Sequence, residues 1–394
     1  GEGFRQALRV CLSCSYLCSL IFKMCIQRDP YNWSEAMYER YTHAILDYLL
    51  TKVAPALQRV QSQYDTAFLK EWTLRWGHHK LIVKGLSKLF MYLDRFYTPN
   101  TDGILSLREQ GFKLYKEHIF DPFSKFARTA ILNCIEKERN SEEQDRHLLQ
   151  EAVAVRDTAI YVRQVYVEMG TNYGNKKLTV YKTDLEKDII EHAGMFYKRK
   201  SRTWMDQDSC PSYLEKSEKL LQEEDGRVNS YLHATTKEPL WRECYTQLLK
   251  VHQTELLEKK TGMFHLLSTR CEDDLSRMNR LYEKIPEDLQ PIADMLHEHV
   301  KKAGTDIVDK AKPQPLRSGK PVADVNHALV RSLIELHANY AQIVNLCFKK
   351  QQVFQKSLKK AFEDFINKDN RVSKLLAKFV HDVLRKGSKV NVKD

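Results

Sequence analysis

The sequence predicts an all-α protein, and three observations support this fold class. Glycine and proline, the residues that interrupt helices, number only 14 and 11 in 394 residues. Leucine, lysine, glutamate and arginine are common, and these side chains lose little rotamer freedom in a helix. Alternating runs of valine, isoleucine and threonine, which are typical of strands, are few. A chain of this length has room for two or three domains, each with its own core.

Long helical segments follow one another without strands, which indicates stacked helical bundles in a solenoid-like rod. One amphipathic helix is predicted over 34–62, with a break or kink at Pro55. Loops are predicted at 97–103 and 171–177, and a linker at 311–322, where three prolines lie. No repeat with a fixed short period is visible, so the common short-repeat families are not indicated.

Polar and acidic residues mark several helix starts. Capping boxes are predicted where Ser141 precedes Gln144 and where Thr235 precedes Glu238. The acidic runs at 222–227 and 271–274 are interpreted as charge at helix starts, because such charge complements the helix dipole. They are not interpreted as paired catalytic acids.

The net charge of +11 is compatible with nucleic acid, an anionic membrane or acidic proteins as partners. However, the basic clusters at 198–202 and 384–389 are short and scattered. They lack the interleaved aromatic residues of a single-strand binding platform. A basic helical-repeat protein that binds nucleic acid is therefore kept as an alternative hypothesis.

The segment RVCLSCSYLCSLIFKMC at 9–25 holds four of the nine cysteines. A secretory signal is not favoured, because no small-x-small cleavage site follows its uncharged run, which is also too short to span a bilayer. A metal or redox site is not favoured either. On a helix, Cys11 and Cys25 would be separated by about 21 Å of rise, so their sulfurs could not bind one ion. An odd number of cysteines in a chain that can build a core fits a reducing compartment.

Helical spacing explains the cysteines better. Steps of three and four residues place positions 11, 14, 18, 21 and 25 on one stripe of a helix. Cysteine acts there as a small hydrophobic residue. Further apolar side chains surround much of the remaining circumference, namely Tyr16, Leu17, Leu20, Phe22 and Met24. A helix that is apolar on most sides needs cover on more than one side, and another chain could supply the second cover.

A second helix with excess apolar surface is predicted over 76–97. One stripe consists of Val83, Leu86, Phe90, Leu93 and Tyr97. A neighbouring stripe consists of Leu81, Gly85, Leu89, Tyr92 and Phe96. Aromatic surface bordered by Lys88 and Arg95 is typical of the centre of an interface. The alternative is that both stripes are core, because a helix in the middle of a bundle is covered on two sides.

No catalytic motif for nucleotide binding, metalloprotease or serine hydrolase chemistry occurs in the sequence. His78 and His79 point roughly 100° apart on a helix and cannot share a metal. Cys210 precedes Pro211 at a predicted helix start, where a thiol pKa can fall, but no basic partner can be assigned and a structural role is favoured. The sequence therefore predicts a protein that is not an enzyme and has no cofactor and no metal.

The sequence resembles the cullin family over nearly its whole length. The order of several segments carries the resemblance more than any one of them: YLDRFY at 92–97, AILNCIEKERN at 130–140, YVEMG at 166–170, LTVYK at 178–182, SCPSYLEKSEKLLQEEDGRVNSYLH at 209–233 and EDDLSRMNRLYEKIP at 272–286. Two of these, LTVYK and the SCP segment, resemble most the cullin subfamily of SCF ubiquitin ligases.

The resemblance implies an elongated rod of three tandem five-helix cullin repeats, expected at 1–140, 141–265 and 266–394. It also implies a rigid, non-catalytic scaffold of an SCF-type ubiquitin ligase. The N-terminal tip would bind a Skp-type BTB-fold adaptor that holds an F-box substrate receptor. A C-terminal domain that binds the RING subunit is expected to be absent from these residues. No membrane partner is expected, and the expected location is cytoplasmic and nuclear.

The resemblance also implies the adaptor site, which two helices form. The implied contacts are Cys14, Leu17, Cys18, Ile21 and Phe22 from the first, and Lys88, Leu89, Tyr92, Arg95 and Phe96 from the second. At Cys18 the family usually has an aromatic residue, so the preferred adaptor is left open, and a scaffold for a different BTB-fold adaptor is the alternative. The stretch VRDTAIYVRQ before Tyr166 resembles an insertion.

Overall fold

A computed structural model describes residues 16–27, 31–140, 158–170, 178–311, 322–368 and 370–385. These residues form α-helices joined by short turns, and no β-strand occurs among them. The predicted fold class is therefore confirmed. The predicted box at Ser141, the loop at 171–177 and nearly all of the linker at 311–322 lie outside the described residues.

The helices divide between two compact units. One unit comprises Gly1–Phe196 with Glu224–Glu243, and the other comprises Tyr197–Glu223 with Cys244–Asp394. The division into three repeats stays a prediction. The helices are α1 (16–26), α2 (Ser34–Tyr48), α3 (Ala54–Gln61), α4 (Asp65–Leu89), α5 (Leu107–Tyr115), α6 (Asp121–Asn140), α7 (158–170), α8 (Lys187–Gln207), α9 (Cys210–Tyr231), α10 (Lys237–Tyr245), α11 (Gln253–Glu258), α12 (Met263–Thr269), α13 (Glu272–Tyr282), α14 (Gln290–Lys310), α15 (Val322–Leu346), α16 (Gln352–Lys368) and α17 (Asn370–Arg385).

Wide π turns interrupt several helical segments. The predicted helix over 34–62 consists of α2 and α3 joined by the π turn Leu49–Val53. Pro55 lies in the first turn of α3, directly after this π turn. The wider turn just before it lets the chain pass the proline without a sharp bend. The predicted break at Pro55 is thus a change of helical pitch at the preceding turn.

The core of the first unit is built from aromatic side chains on α4. Trp72 stacks on Phe120 with ring centroids 5.9 Å apart, and Tyr166 of α7 meets the same indole at 5.8 Å. Trp76 packs on Tyr115 at 4.9 Å. All these rings are almost fully buried. Because α4 contacts α5, α7 and the π turn Lys116–Phe120 through this row, it is the central helix of the unit.

A buried ion cluster ties α6 to α9. The Arg139 Nε donates to Glu224 Oε1 at 2.8 Å, and the two side chains are only 1% and 4% exposed. Arg227 Nη1 also donates to Glu224 Oε1, at 3.1 Å. The interpretation of the run at 222–227 as helix-start charge is therefore wrong, because this run lies inside α9. The run at 271–274 does supply the first turn of α13.

The second unit has its closest helix packing between α14 and α16. A Cβ added at Gly304 would lie 2.3 Å from the Phe365 ring, so only glycine lets the ring approach α14. Phe365 belongs to an apolar cluster that also contains Val308, Leu333 and Val372. The amphipathic α17 joins this cluster through Val372, and its apolar face is thereby partly covered, since Val380 stays 53% exposed.

The structure agrees with the structural role favoured for Cys210 and corrects the capping box predicted at Thr235. Cys210 begins α9 but is fully buried, and burial raises the pKa of its thiol to about 12. A reactive thiolate is therefore excluded at this position. Thr235 forms no capping box with Glu238, because its hydroxyl donates to Glu186 Oε1 at 3.1 Å, and α10 begins only at Lys237.

Candidate functional site

The segment predicted as one helix over 76–97 is divided in the structure. Helix α4 ends at Leu89, Phe90 leaves helical geometry at φ −98° and ψ 25°, and the π turn Leu93–Tyr97 follows. The Asp94 carboxylate holds this turn in place, because its Oδ1 accepts a hydrogen bond from Leu107 N at 2.8 Å. Burial raises the pKa of Asp94, an effect that this hydrogen bond opposes. The prediction of an unbroken helix is therefore wrong.

Helix α1 packs against the end of α4 and the turn after it. The Phe22 and Tyr92 rings lie 4.5 Å apart between centroids, and Tyr92 stacks on Phe96 at 6.1 Å with planes only 9° apart. The Cys18 Sγ lies 3.9 Å from the Leu89 carbonyl oxygen. Ile21 is buried on the same face of α1. The contacts Phe22–Tyr92 and Cys18–Leu89 therefore join the first set of predicted site residues to the second.

The two segments leave several large apolar side chains open to solvent on either side of their contact. Leu17 is 41% exposed, Leu20 43% and Phe96 56%. We call the exposed parts of α1 and of residues 89–96 the α1–α4 surface. Burying such side chains against a partner is favourable by roughly 25 cal/mol per Å² of apolar area. An open surface of this kind on a folded chain is typical of an interface.

The exposed charges around this surface are basic, whereas the part-buried Asp94 carboxylate of the same segment accepts a hydrogen bond from Leu107 N. Lys88 and Arg95 are both exposed at its border, and the described residues of α1 carry one charge, that of Lys23. No carboxylate of α1 is present in this described stretch to balance them. The arrangement therefore favours a partner with apolar side chains at its centre and acidic residues at its rim.

Nine of the ten predicted site residues lie in the described part of the chain, and Cys14 lies outside it. The stripe that begins at Val83 is only partly buried. Val83 and Leu93 are fully buried, whereas Phe90 is half-buried. In the neighbouring stripe, Leu81 is 67% exposed, so that stripe is not wholly core. Leu20 was not among the predicted contacts; its place on the helix opposite the cysteine stripe could have indicated its exposure.

The described residues contain no group of three histidine, cysteine or acidic side chains that could hold a metal ion. His79 is buried, and its Nε2 lies 2.9 Å from the Gly111 carbonyl oxygen. Burial lowers the pKa of His79 to about 4. His79 therefore is a neutral core residue. None of the helices in the described residues is long and apolar enough to cross a membrane.

The described helices define the class of all-α proteins. The model of the cullin alpha solenoid domain matches residues 8–394, and the chain therefore belongs to the cullin family. The resemblance drawn from the ordered sequence segments is confirmed.

Several curated cullins are similar to the chain over most of its length. It is 34% identical to "Putative cullin-like protein 1" of Arabidopsis thaliana over 353 residues, which are 89% of this chain and 46% of that protein. It is 33% identical to Cullin-2 of Arabidopsis thaliana, covering 94% of this chain and 48% of that protein. It is 31% identical to Cullin-1 of Oryza sativa subsp. japonica, covering 96% and 50%. The chain spans about half the length of these curated relatives.

Proposed function

We propose that this chain is the non-catalytic arm of a cullin-RING ubiquitin-ligase scaffold. In this proposal the α1–α4 surface binds a Skp-type BTB-fold adaptor that carries an F-box substrate receptor. The RING subunit would contact a region that these 394 residues do not include. The observation that carries the proposal is the exposed apolar surface where α1 packs on the end of α4.

The geometry supports a protein partner at this surface. The Phe22, Tyr92 and Phe96 rings form a fixed row, so little side-chain entropy is lost when a partner covers them. Rigid aromatic residues at the centre of an interface usually carry most of the binding free energy. Lys88 and Arg95 at the border would steer an acidic partner and set the register.

The test is binding of an SCF adaptor to a variant with Leu17→Asp and Phe96→Asp. Both side chains are exposed, whereas Tyr92 packs on Phe22 and its loss would disturb α1. We expect the double variant to bind at least thirtyfold more weakly in a titration, because two central apolar contacts become charged.

Ile334→Asp is the matched control. Ile334 is 50% exposed on α15, in the other unit, and its change should leave adaptor binding unaltered. Circular dichroism should show equal helix content in all variants. Equal affinity of the double variant and the native chain would contradict the proposed site.

The adaptor class is a separate question. The relatives include Cullin-3A of Arabidopsis thaliana at 26% identity and Cullin-4A of Homo sapiens at 28%. Similarity to the family therefore leaves a different BTB-fold adaptor as the second candidate. A pull-down of purified adaptors with this chain distinguishes a Skp-type adaptor from a different BTB-fold adaptor. The same double variant serves as the negative control.

A further inference from the structure

An open groove lies on the first unit, formed by α7, the end of α9 and the start of α10. Its volume is about 510 Å³, which lies within the range of roughly 300–1,000 Å³ typical of ligand-binding pockets. Val228 and Leu232 are buried at its floor, with half-buried Val167 beside them. None of the residues assigned above to the α1–α4 surface lines this groove.

The rim of the groove is cationic. Arg163 and Lys237 line it, together with His233. Among the described residues that line it, the one carboxylate is Glu168. This carboxylate accepts hydrogen bonds from Lys80 Nζ at 2.8 and 3.1 Å and from Trp76 Nε1 at 2.7 Å. Its negative charge is therefore compensated by Lys80, which leaves at the rim the charge of Arg163 and that of Lys237, the latter close to Asp225.

The residues of the rim are held in place by local hydrogen bonds. Arg163 Nη1 donates to the Leu232 carbonyl oxygen at 3.1 Å, so that α7 is fixed to the end of α9. His233 N donates to the Tyr181 hydroxyl at 3.1 Å. Lys237 is exposed, with its Nζ 3.6 Å from Asp225 Oδ1. The groove is thus shaped before any ligand arrives, which lowers the entropic cost of binding.

We propose that this groove binds an acidic peptide segment of a partner protein through one or two bulky apolar side chains. The apolar floor would take the side chains, and Arg163 and Lys237 would pair with carboxylates beside them. A nucleic acid would satisfy the cations but leave the floor of Val228 and Leu232 without an apolar partner. The combination of floor and rim therefore favours an acidic, leucine-containing peptide.

The test uses a fluorescein-labelled peptide of sequence EDDLLEDE and its anisotropy on titration with the full chain. Ala234→Trp places a ring in the groove without changing its charge, because Ala234 is exposed and lines it. We expect this variant to bind at least tenfold more weakly. Lys237→Glu should weaken binding about three- to fivefold, the range for one exposed ion pair.

The matched control carries Lys52→Glu and Lys70→Glu, two exposed cations of the same unit. It should bind the peptide within twofold of the native chain, and the peptide EDDAAEDE should bind more weakly than the leucine form. The proposal would be overturned if Ala234→Trp bound the peptide as tightly as the native chain does. It would also be overturned if the control variant lost as much affinity as the groove variants, because attraction to the net charge alone would then explain the binding. A third result would overturn the proposal: the peptide fails to bind, whereas an oligothymidine binds the native chain and binds the Ala234→Trp variant more weakly.

Discussion

His79 shows how position decides the chemistry of a residue. The sequence places two histidines side by side on one helix, and only their exposure distinguishes them: His78 is exposed, whereas His79 is buried between Trp76, Tyr115 and Phe112. Desolvation by burial lowers the pKa of His79 to about 4, and its hydrogen bond to the Gly111 carbonyl only partly opposes this. Burial therefore keeps the ring neutral at physiological pH.

The pKa of His79 predicts a pH dependence of stability. Its folded value lies below the value of 6.5 for an exposed histidine, so between these values the unfolded chain binds a proton that the folded chain does not. The free energy of unfolding should consequently fall as the pH drops, by about 2 kcal/mol from pH 7 to pH 5. Urea unfolding at the two pH values measures the difference.

The variant His79→Gln should lose this part of the pH dependence, because a glutamine amide does not titrate but can still donate to the Gly111 carbonyl. His78→Gln on the exposed neighbour should keep it. The assignment fails if both variants show the pH dependence of the native chain.

The buried pair of Arg139 and Glu224 is a second case at the scale of single residues. Arg139→Ala removes two hydrogen bonds to the buried Glu224 carboxylate, which keeps Arg227 as a partner, so the free energy of unfolding should fall by about 1.5–3 kcal/mol. Arg242→Ala is the control, since Arg242 and Glu238 form a pair that is 71% and 72% exposed. Arg242→Ala should lower the free energy of unfolding by less than about 1 kcal/mol. Chemical denaturation compares the two, and similar small losses would show that the buried pair contributes little.

At the scale of elements, the turns and glycines decide where helices bend and how closely they pack. The sequence pattern reads 76–97 as one helix, because a π turn keeps the apolar spacing nearly helical. Likewise, the residues near Gly304 in the sequence do not indicate that Phe365 of α16 packs against Gly304. These features depend on partners that are distant in the chain.

Two glycine substitutions separate packing from helix propensity. Gly304→Ala should lower the free energy of unfolding by about 1–3 kcal/mol, because the new methyl group would overlap the Phe365 ring. Gly226→Ala in α9 should instead raise it by about 0.5–1 kcal/mol, since no atom lies within 4 Å of the new Cβ and alanine favours the helix. Thermal unfolding gives both signs, and a stabilising Gly304→Ala would refute the packing argument.

At the scale of the whole molecule, the chain is an all-α member of the cullin family whose described helices form two compact units. The α1–α4 surface belongs to one unit, and so does the groove of Val228 and Leu232. If both proposals hold, one unit presents an apolar surface for an adaptor and a separate basic groove for an acidic peptide. The double variant with Leu17→Asp and Phe96→Asp should leave peptide binding unchanged, which makes the two proposals independent.

The sequence by itself determined the fold class, the family and the apolar character of α1. Helix periodicity is a local property, so the place of Cys18, Ile21 and Cys25 on one stripe follows from their spacing alone. Only the tertiary structure decided that the chain leaves α4 at Phe90, that Phe22 meets Tyr92, and that Glu224 is buried inside α9. The physical reason is that burial and ring contacts depend on residues that are far apart in the chain and close in the fold. A local sequence pattern does not specify which distant residues come into contact.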